Sequence, residues 1–200
     1  MNEVRAYAAR IGLKPNQSFA GVIGLDFDVL SPIVVTKMGL WDSGGQGIAQ
    51  PSFVRIYDRQ AGTSVVEVTL QGTSAPITPD GYRMAPVPGT FILPAGFQGA
   101  VVALVTAAPI YNDDMGAVDP GNTTNDGGLI AFRGLGRFGT DPQQYPTSIV
   151  THLTRPNPFI AGNFAFRAVG PVVPTITTAR AARLLPRTPG RAPRPFRLHR

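Results

Sequence analysis

Two acidic residues on one predicted strand are the first candidates for chemistry in this sequence. Asp26 and Asp28 stand two positions apart in GLDFDVL, so both carboxylates point to the same face of a strand. Glycoside hydrolysis requires two carboxylates at a set separation. We favour a simpler interpretation, in which the pair marks an exposed strand face or an acidic edge that discourages strand addition.

A second acidic group lies in the polar stretch from Ile110 to Gly128. Calcium binds about six to eight oxygen atoms, and flexible acidic loops supply them. Carboxylates for such a site could come from Asp113, Asp114, Asp119 and Asp126, and amide oxygens from Asn122 and Asn125. The spacing differs from that of the twelve-residue calcium loop, so we favour a solvated loop. No cofactor other than calcium is suggested.

Other catalytic residues are scarce. Histidine occurs at 152 and 199, cysteine is absent, and no P-loop, Gly-x-Ser-x-Gly or His-Glu-x-x-His motif is present. His152 alternates with Val150 on a predicted strand, which is typical of a strand-surface or core histidine. We therefore predict that the chain is not an enzyme.

Two aromatic residues could serve as a ligand platform, because aromatic rings stack on sugar rings. These are Trp41 and Tyr111. Trp41 is followed by DSGGQG, where Gly44, Gly45 and Gly47 permit the positive φ angles of a tight reversal. Asp42 can cap this turn through its own side chain. We favour a turn here, and the alternative is a contribution of Asp42 to a calcium site.

Positive charge is concentrated at the C-terminal end. Residues 171–200 hold seven of the 18 basic residues and no acid, whereas all 12 acidic residues lie in 1–170. Such a tail could contact nucleic acid or an anionic membrane, dock on a partner subunit, or be an unselected extension. Nucleic-acid binders usually interleave aromatic residues, and this tail has only Phe196. We therefore favour docking on a partner through Arg180, Arg183, Arg187, Arg191, Arg194 and Arg197.

Short apolar segments bounded by glycine and proline determine the predicted fold. Nine of them recur, at 18–30, 33–41, 53–59, 64–72, 89–94, 99–108, 128–134, 148–153 and 163–169. Runs of this length, rich in β-branched and aromatic residues, predict an all-β antiparallel β-sandwich of jelly-roll type with an extended basic C-terminal tail. Helix-forming composition occurs only at 2–12 and 175–185.

The predicted core consists of the alternate apolar residues of these segments. It comprises Phe27, Val29, Val34, Met38, Leu40, Val54, Ile56, Val66, Val68, Phe91, Val101, Ala103, Val105, Ile130, Phe164 and Phe166. A slip of one residue in register would exchange the faces of a strand.

Composition divides the chain into three parts. We predict an N-terminal arm over 1–17, the sandwich over 18–170 and a Pro/Arg-rich tail over 171–200. The first residues lack the apolar core of a secretory signal, and no apolar window approaches the length of a membrane span.

Three stretches carry a resemblance to a known family. They are GLDFDVLSPIVVTKMGLWDSGGQGIAQPSFVRIYDRQAGTSVVEVTL, GTFILPAGFQGAVVA and NPFIAGNFAF, within Phe19 to Val169. This part resembles the jelly-roll-like β-sandwich domains of bacterial surface and secreted proteins, the uncharacterised modules that often precede a Pro-Glu-Pro-type sorting signal. The resemblance implies a fold and no particular activity. In place of the sorting helix, this chain has the arginine–proline run.

Two functional hypotheses follow. The first is a non-enzymatic structural module of an extracellular or virion assembly, such as a phage head or tail, whose terminal arms dock on other copies or on another particle subunit. The second is a carbohydrate-binding or adhesion module of a cell-surface protein, with a surface glycan as partner. The expected location is accordingly a virion or the extracellular surface. Hydrolysis through Asp26 and Asp28 is a third, minor hypothesis.

Overall fold

The computed structural model describes residues 2–9, 11–12, 19–42, 44–105, 123–124, 128–151 and 159–170. These residues form strands and turns, with no helix among them. The strands are β1 (Val4–Arg5), β2 (Tyr7–Ala8), β3 (Gly21–Val29), β4 (Ile33–Trp41), β5 (Ile48–Asp58), β6 (Thr63–Gly72), β7 (Tyr82–Leu93), β8 (Gln98–Val105), β9 (Thr123–Thr124), β10 (Ile130–Gly139), β11 (Ser148–Thr151) and β12 (Gly162–Ala168).

Two antiparallel sheets pack face to face. The order of the four-stranded sheet is β1-β12-β4-β7, and the order of the six-stranded sheet is β11-β10-β3-β8-β5-β6. A short third ribbon pairs β2 with β9. Late strands lie between early ones, β12 between β1 and β4 and β8 between β3 and β5, as expected when a long hairpin wraps into a jelly roll. The predicted β-sandwich class is confirmed.

The core lies between the two sheets and matches the predicted list closely. Phe27 of β3 packs against Phe164 of β12, with ring centroids 4.9 Å apart, which joins one sheet to the other. Val66 and Phe91, predicted as core residues, are only partly buried at its margin. At the start of β4 the predicted Val34 is buried, at 6% exposed, but Val35 belongs to the main core cluster in its place, because a register shift between Val35 and Lys37 breaks the alternation.

The six-stranded sheet also buries apolar residues on its outer face. Val54 and Ile56 belong to the main core, whereas Phe53 and Tyr57 of the same strand form a separate cluster with Val22, Ala100 and Val102. Strand β8 is buried along most of its length, so both of its faces are covered. Residues 140–147, between β10 and β11, cover part of this outer face.

The N-terminal residues depart from the sequence prediction. Despite their helix-forming composition, these residues form short strands. Val4–Arg5 pairs with β12, and Tyr7–Ala8 pairs with β9. Propensity is weak in so short a segment, and pairing partners in the sheet satisfy its backbone instead. Residues of the predicted arm therefore dock on their own sandwich. Within the part of the chain that the structure describes, no helix has the length and hydropathy of a membrane span.

Candidate functional site

A groove of about 450 Å³ lies beside β1 on the solvent side of the four-stranded sheet. We call it the β1 groove. Its floor and one wall are apolar, and charged side chains stand at its rim. The lining residues are Glu3, Val4, Arg5, Tyr7, Ala8, Lys37, Pro76, Ile77, Thr78, Met84 and Ala165.

Strand register brings the rim together from distant parts of the chain. Arg5 of β1 is the Cα partner of Ala165 in β12, which is in turn the partner of Lys37 in β4. Side chains at paired positions of adjacent strands project to the same face of a sheet. The two cations of the groove are thus placed by register and not by proximity in sequence.

Asp80 holds one wall of the groove in place. Its Oδ1 accepts hydrogen bonds from the Arg5 guanidinium and, at 2.7 Å, from the Thr78 hydroxyl. Its Oδ2 accepts a hydrogen bond of 2.9 Å from the backbone N–H of Ala9. Because Asp80 is only 6% exposed, these three donors are what makes burial of the carboxylate tolerable.

The opposite rim carries an accessible ion pair. Lys37 Nζ lies 2.7 Å from Glu3 Oε1, and both side chains are well exposed. Partial burial alone would raise the pKa of Glu3, but the hydrogen bond from Lys37 and the charge of Lys37 outweigh it and lower the pKa. Glu3 is therefore an ionised hydrogen-bond acceptor facing solvent at neutral pH.

A second charged group lies on the outer face of the six-stranded sheet. We call it the arginine–aspartate cluster: Asp26, Asp28, Arg59, Arg133 and Arg137. Arg137 forms a two-pronged contact with Asp26, Nε to Oδ1 at 2.5 Å and Nη2 to Oδ2 at 2.9 Å. Arg59 contacts both aspartates, and Arg133 approaches Asp28 at 3.4 Å.

This cluster corrects the interpretation of Asp26 and Asp28. Both project to one face, as predicted, but Asp26 is fully buried on a central strand, so the face is neither exposed nor an edge at that point. Arginines occupy the carboxylate oxygens that a general acid or nucleophile would present to a substrate. The arrangement is that of a structural ion network.

The loop joining β10 to β11, residues 140–147, covers part of this face; we call it the hairpin loop. Arg55 Nη1 donates to the carbonyl of Pro142 at 2.7 Å and so fastens the loop to β5. Tyr145 packs on Tyr57 with ring centroids 5.2 Å apart, and the Arg137 guanidinium lies 5.0 Å from the Tyr145 centroid. A smaller pocket of about 270 Å³ lies within the loop.

The glycine-rich turn after β4 behaves as predicted. The backbone N–H of Gly47 donates to Asp42 Oδ2 at 2.8 Å. Of the three glycines predicted to use positive φ angles, Gly45 and Gly47 do so and Gly44 does not. Arg83 Nε donates to the same oxygen at 2.7 Å and makes this a buried ion pair, which the sequence analysis did not foresee. Asp42 Oδ1 is buried without a hydrogen-bond partner.

The predicted ligand residues have different outcomes. Trp41 is 1% exposed and donates its indole N–H to the Asp80 carbonyl at 3.2 Å, so it offers no open ring for stacking. Several predicted residues lie outside the described part of the chain: Tyr111, Asp113, Asp114, Asp119, Asp126, His152, Arg180, Arg183, Arg187, Arg191, Arg194 and Arg197. Among the described residues, no group of three or more metal-binding side chains is present.

Sequence reasoning missed the main residues of the β1 groove. Arg5 and Tyr7 lay in the predicted N-terminal arm, in a stretch of helix-forming composition. Asp80 lay in the turn TPDG, where an aspartate is common for local reasons. The alternation in VRAYA was the available signal for a strand. Nothing local indicated that Arg5 and Asp80 meet.

Comparisons with known proteins add one similarity. No protein-family model matches the chain, and no solved structure matches it. The chain is 28% identical over 156 residues to UDP-GalNAc:beta-1,3-N-acetylgalactosaminyltransferase 2 of Danio rerio. The match covers 75% of this chain and 28% of that protein, so the chain spans about a quarter of the relative's length.

This similarity bears on two predictions, the absence of enzymatic activity and the role in a virion assembly. The prediction of a chain without enzymatic activity is contradicted, because the relative is a glycosyltransferase. That prediction relied on short local motifs, and a reaction whose residues come from separate parts of a chain leaves no such motif. The relative's name specifies a sugar as what it transfers, and the similarity gives no support to the virion, capsid or assembly hypothesis. The resemblance to bacterial surface modules stays a prediction.

Proposed function

We propose that this β-sandwich recognises carbohydrate and that the β1 groove binds it. The observation that carries the proposal is the groove itself, which combines an apolar floor with charged and hydroxyl groups at its rim. Ligand sites are usually of this kind, mostly apolar with a few placed polar groups. The similarity to a glycosyltransferase supports sugar as the class of ligand. Sugar binding and sugar transfer both require such recognition.

The floor suits the C–H face of a pyranose ring. Pro76 and Ile77 supply the exposed apolar surface, with Ile77 45% exposed, whereas Met84 and Ala165 also line the groove but are buried. Covering exposed apolar surface is favourable, at about 25 cal/mol per Å² removed from water. A ring lying on this floor would therefore gain affinity without stacking on an aromatic side chain.

The rim suits sugar hydroxyl groups, which donate and accept hydrogen bonds. Lys37 supplies donors and Glu3 supplies an ionised acceptor. An exposed ion pair of this kind contributes only about 0–1 kcal/mol to stability. A hydroxyl group can therefore insert between Lys37 and Glu3, or replace one of them as partner, at small cost.

The first test is binding of the full chain to a glycan array. Glycans that end in N-acetylgalactosamine are the first candidates, because the relative's name specifies that sugar. Titration calorimetry with the best ligand then compares the unchanged chain with Ile77→Asp and Lys37→Met. We expect each variant to lose about tenfold or more in affinity, the effect of one lost contact of about 1.4 kcal/mol.

Matched controls separate the groove from the rest of the surface. Ile149 is 49% exposed and does not line the groove, so Ile149→Asp repeats the first change elsewhere. Arg133→Met repeats the loss of an exposed cation. Both controls should keep full affinity. A negative array, or unchanged affinity of the two groove variants, would refute the proposal; loss of affinity in Gln144→Ala alone would move the site to the hairpin loop.

A further inference from the structure

We propose that residues 2–9, the N-terminal segment, are a separable strand that the rest of the sandwich binds as a ligand, and that a second copy of this chain supplies it in a strand-exchanged dimer. The inference does not depend on the ligand of the β1 groove. It rests on the way in which the segment is held.

The segment is held by residues far away in the sequence. Arg5 and Ala9 are bonded to Asp80, 75 and 71 positions away. The hydroxyl of Tyr7 donates to the carbonyl of Gly162, 155 positions away. The folded body, and not the segment's neighbours in sequence, therefore supplies these partners, as it does for a peptide added to a sheet edge.

Tyr7 is the anchor of the segment. Its ring is 4% exposed and lies between the two sheets, 5.9 Å from the Tyr82 ring of β7 and 5.6 Å from the Phe132 ring of β10, measured between centroids. Burial raises the pKa of the Tyr7 hydroxyl well above its ordinary value. A buried tyrosine flanked by an arginine is the usual composition of an energetic centre in protein interfaces.

The body also recognises the backbone of the segment. The N–H of Ala6 donates to the Phe164 carbonyl at 2.8 Å, and Asn163 Nδ2 donates to the Tyr7 carbonyl at 2.9 Å. Asn163 is fully buried, so its amide is committed to this contact. Backbone pairing supplies affinity and the Tyr7 pocket supplies specificity, as in strand addition to a sheet edge.

A second copy can make every one of these contacts. The segment is joined to β3 through residues 10–20, and the side-chain contacts named above join positions at least 71 residues apart. The same groups therefore meet whether the segment comes from the same chain or from a neighbour, which is the condition for domain swapping. A swapped copy would place Glu3, Arg5 and Tyr7 in the β1 groove of its partner.

Charge reversal tests the exchange in the full chain. One variant carries Arg5→Asp and the other carries Asp80→Lys, so that each repels its own segment. Each segment matches the acceptor of the other variant. After joint refolding from urea at high protein concentration, native mass spectrometry should show at least about tenfold more heterodimer than an equal mixture of unchanged chain and its isotope-labelled copy, because mismatched charges exclude the wrong partner.

The control is a single chain that carries both reversals. Its monomer–dimer distribution should equal that of the unchanged chain, because the reversed pair matches again both within one chain and between two identical copies. If that doubly changed chain folds and the mixture yields no more heterodimer than the unchanged chains, the proposal is wrong.

A second measurement covers the case in which reversal at the buried Asp80 prevents folding. A labelled peptide of residues 2–9 is added to full chain carrying Tyr7→Ala, whose own segment has lost its anchor. The peptide should bind at least about tenfold more tightly to this variant than to the unchanged chain, and a peptide carrying Tyr7→Ala should not bind. Failure of the unchanged peptide to bind the variant would overturn the proposal.

Discussion

The outer faces of the two sheets hold their charged residues in different ways. On the four-stranded sheet a strand lies beside an open groove, and the Lys37–Glu3 pair faces solvent. On the six-stranded sheet the hairpin loop is fastened down and Asp26 is bound on both oxygens by arginine. Charged residues indicate a binding site where a ligand can reach them, and a structural role where other protein groups already occupy them.

Two tyrosines show the same difference on a smaller scale. Tyr7 is buried and its hydroxyl donates to the Gly162 carbonyl. Tyr145 is only partly buried as a residue, yet its hydroxyl oxygen is enclosed without a partner. One hydroxyl therefore contributes to stability, and the other gives none of the stability that a formed hydrogen bond would supply.

The largest effect should come from the arginine–aspartate cluster. Asp26→Asn removes the charge that holds Arg137 and Arg59, both of which are mostly buried. We expect a loss of about 3–5 kcal/mol in the free energy of unfolding, the usual result of leaving a buried charge without its partner. Urea denaturation measures it. Glu67→Gln breaks the more exposed pair with Arg55 and should cost about 1 kcal/mol or less. Equal losses in the two variants would contradict the structural role assigned to the buried Asp26.

A smaller effect is expected at the anchor of the N-terminal segment. Tyr7→Phe keeps the ring contacts with Tyr82 and Phe132 but leaves the buried Gly162 carbonyl without this donor. The free energy of unfolding should fall by about 1–3 kcal/mol. Thermal and urea unfolding of the full chain provide the measurement. A change too small to detect would mean that the hydroxyl does not fix the segment.

The exposed pair of the β1 groove should matter little for stability. Lys37→Met removes the contact with Glu3 and should change the free energy of unfolding by about 1 kcal/mol or less. Its effect on glycan affinity should be much larger than its effect on stability. A loss of several kcal/mol in urea denaturation would assign the pair a structural role, like that of the opposite face.

The smallest effect at neutral pH is expected at the hairpin loop. Tyr145→Phe removes a hydroxyl that has no partner, so the free energy of unfolding should change by about 0.5 kcal/mol or less. The Tyr57 ring contact remains. A large loss on urea denaturation would show that this hydroxyl is bonded in solution.

The dependence of stability on alkaline pH tests the burial of the tyrosine hydroxyls on both sheets. Burial raises the pKa of Tyr145 to about 12, and burial also raises the pKa of Tyr7 and Tyr82. A tyrosine in the unfolded chain ionises near pH 10, so the unfolded state loses these protons at lower pH than the folded state does. The contribution of the buried tyrosines to the free energy of unfolding is therefore complete below about pH 10 and is lost as the pH rises toward about 12. The urea midpoint should therefore fall over this range, and less steeply in Tyr145→Phe. A midpoint independent of pH would contradict this explanation.

Much of the fold could be predicted from local pattern. All nine predicted apolar segments contain strands, and β4 begins and ends where the pattern does. β7 began seven residues before the predicted segment, because Pro86 and Pro88 made that stretch look unlike a strand. Prolines are tolerated there because β7 is at the edge of its sheet.

The candidate site was harder to predict than the fold. Trp41 is an aromatic residue beside a turn, and only packing shows that its ring is enclosed. Asp26 has the pattern of a surface acid, and only the sheet order shows that Arg137 and Arg59 converge on it. Burial of a polar residue depends on partners from other strands, and the residue's own neighbours in sequence do not reveal them.

The sequence by itself determined that short apolar strands punctuated by glycine and proline would form a β-sandwich, since strand alternation and turn chemistry are local properties. Only the tertiary structure decided which partners the charged and buried polar residues have. Arg5 reaches Asp80, and Tyr7 reaches Gly162, only because the jelly-roll order lays β1 beside β12 and near the turn before β7. Contacts of that range depend on topology, which no window of the sequence contains.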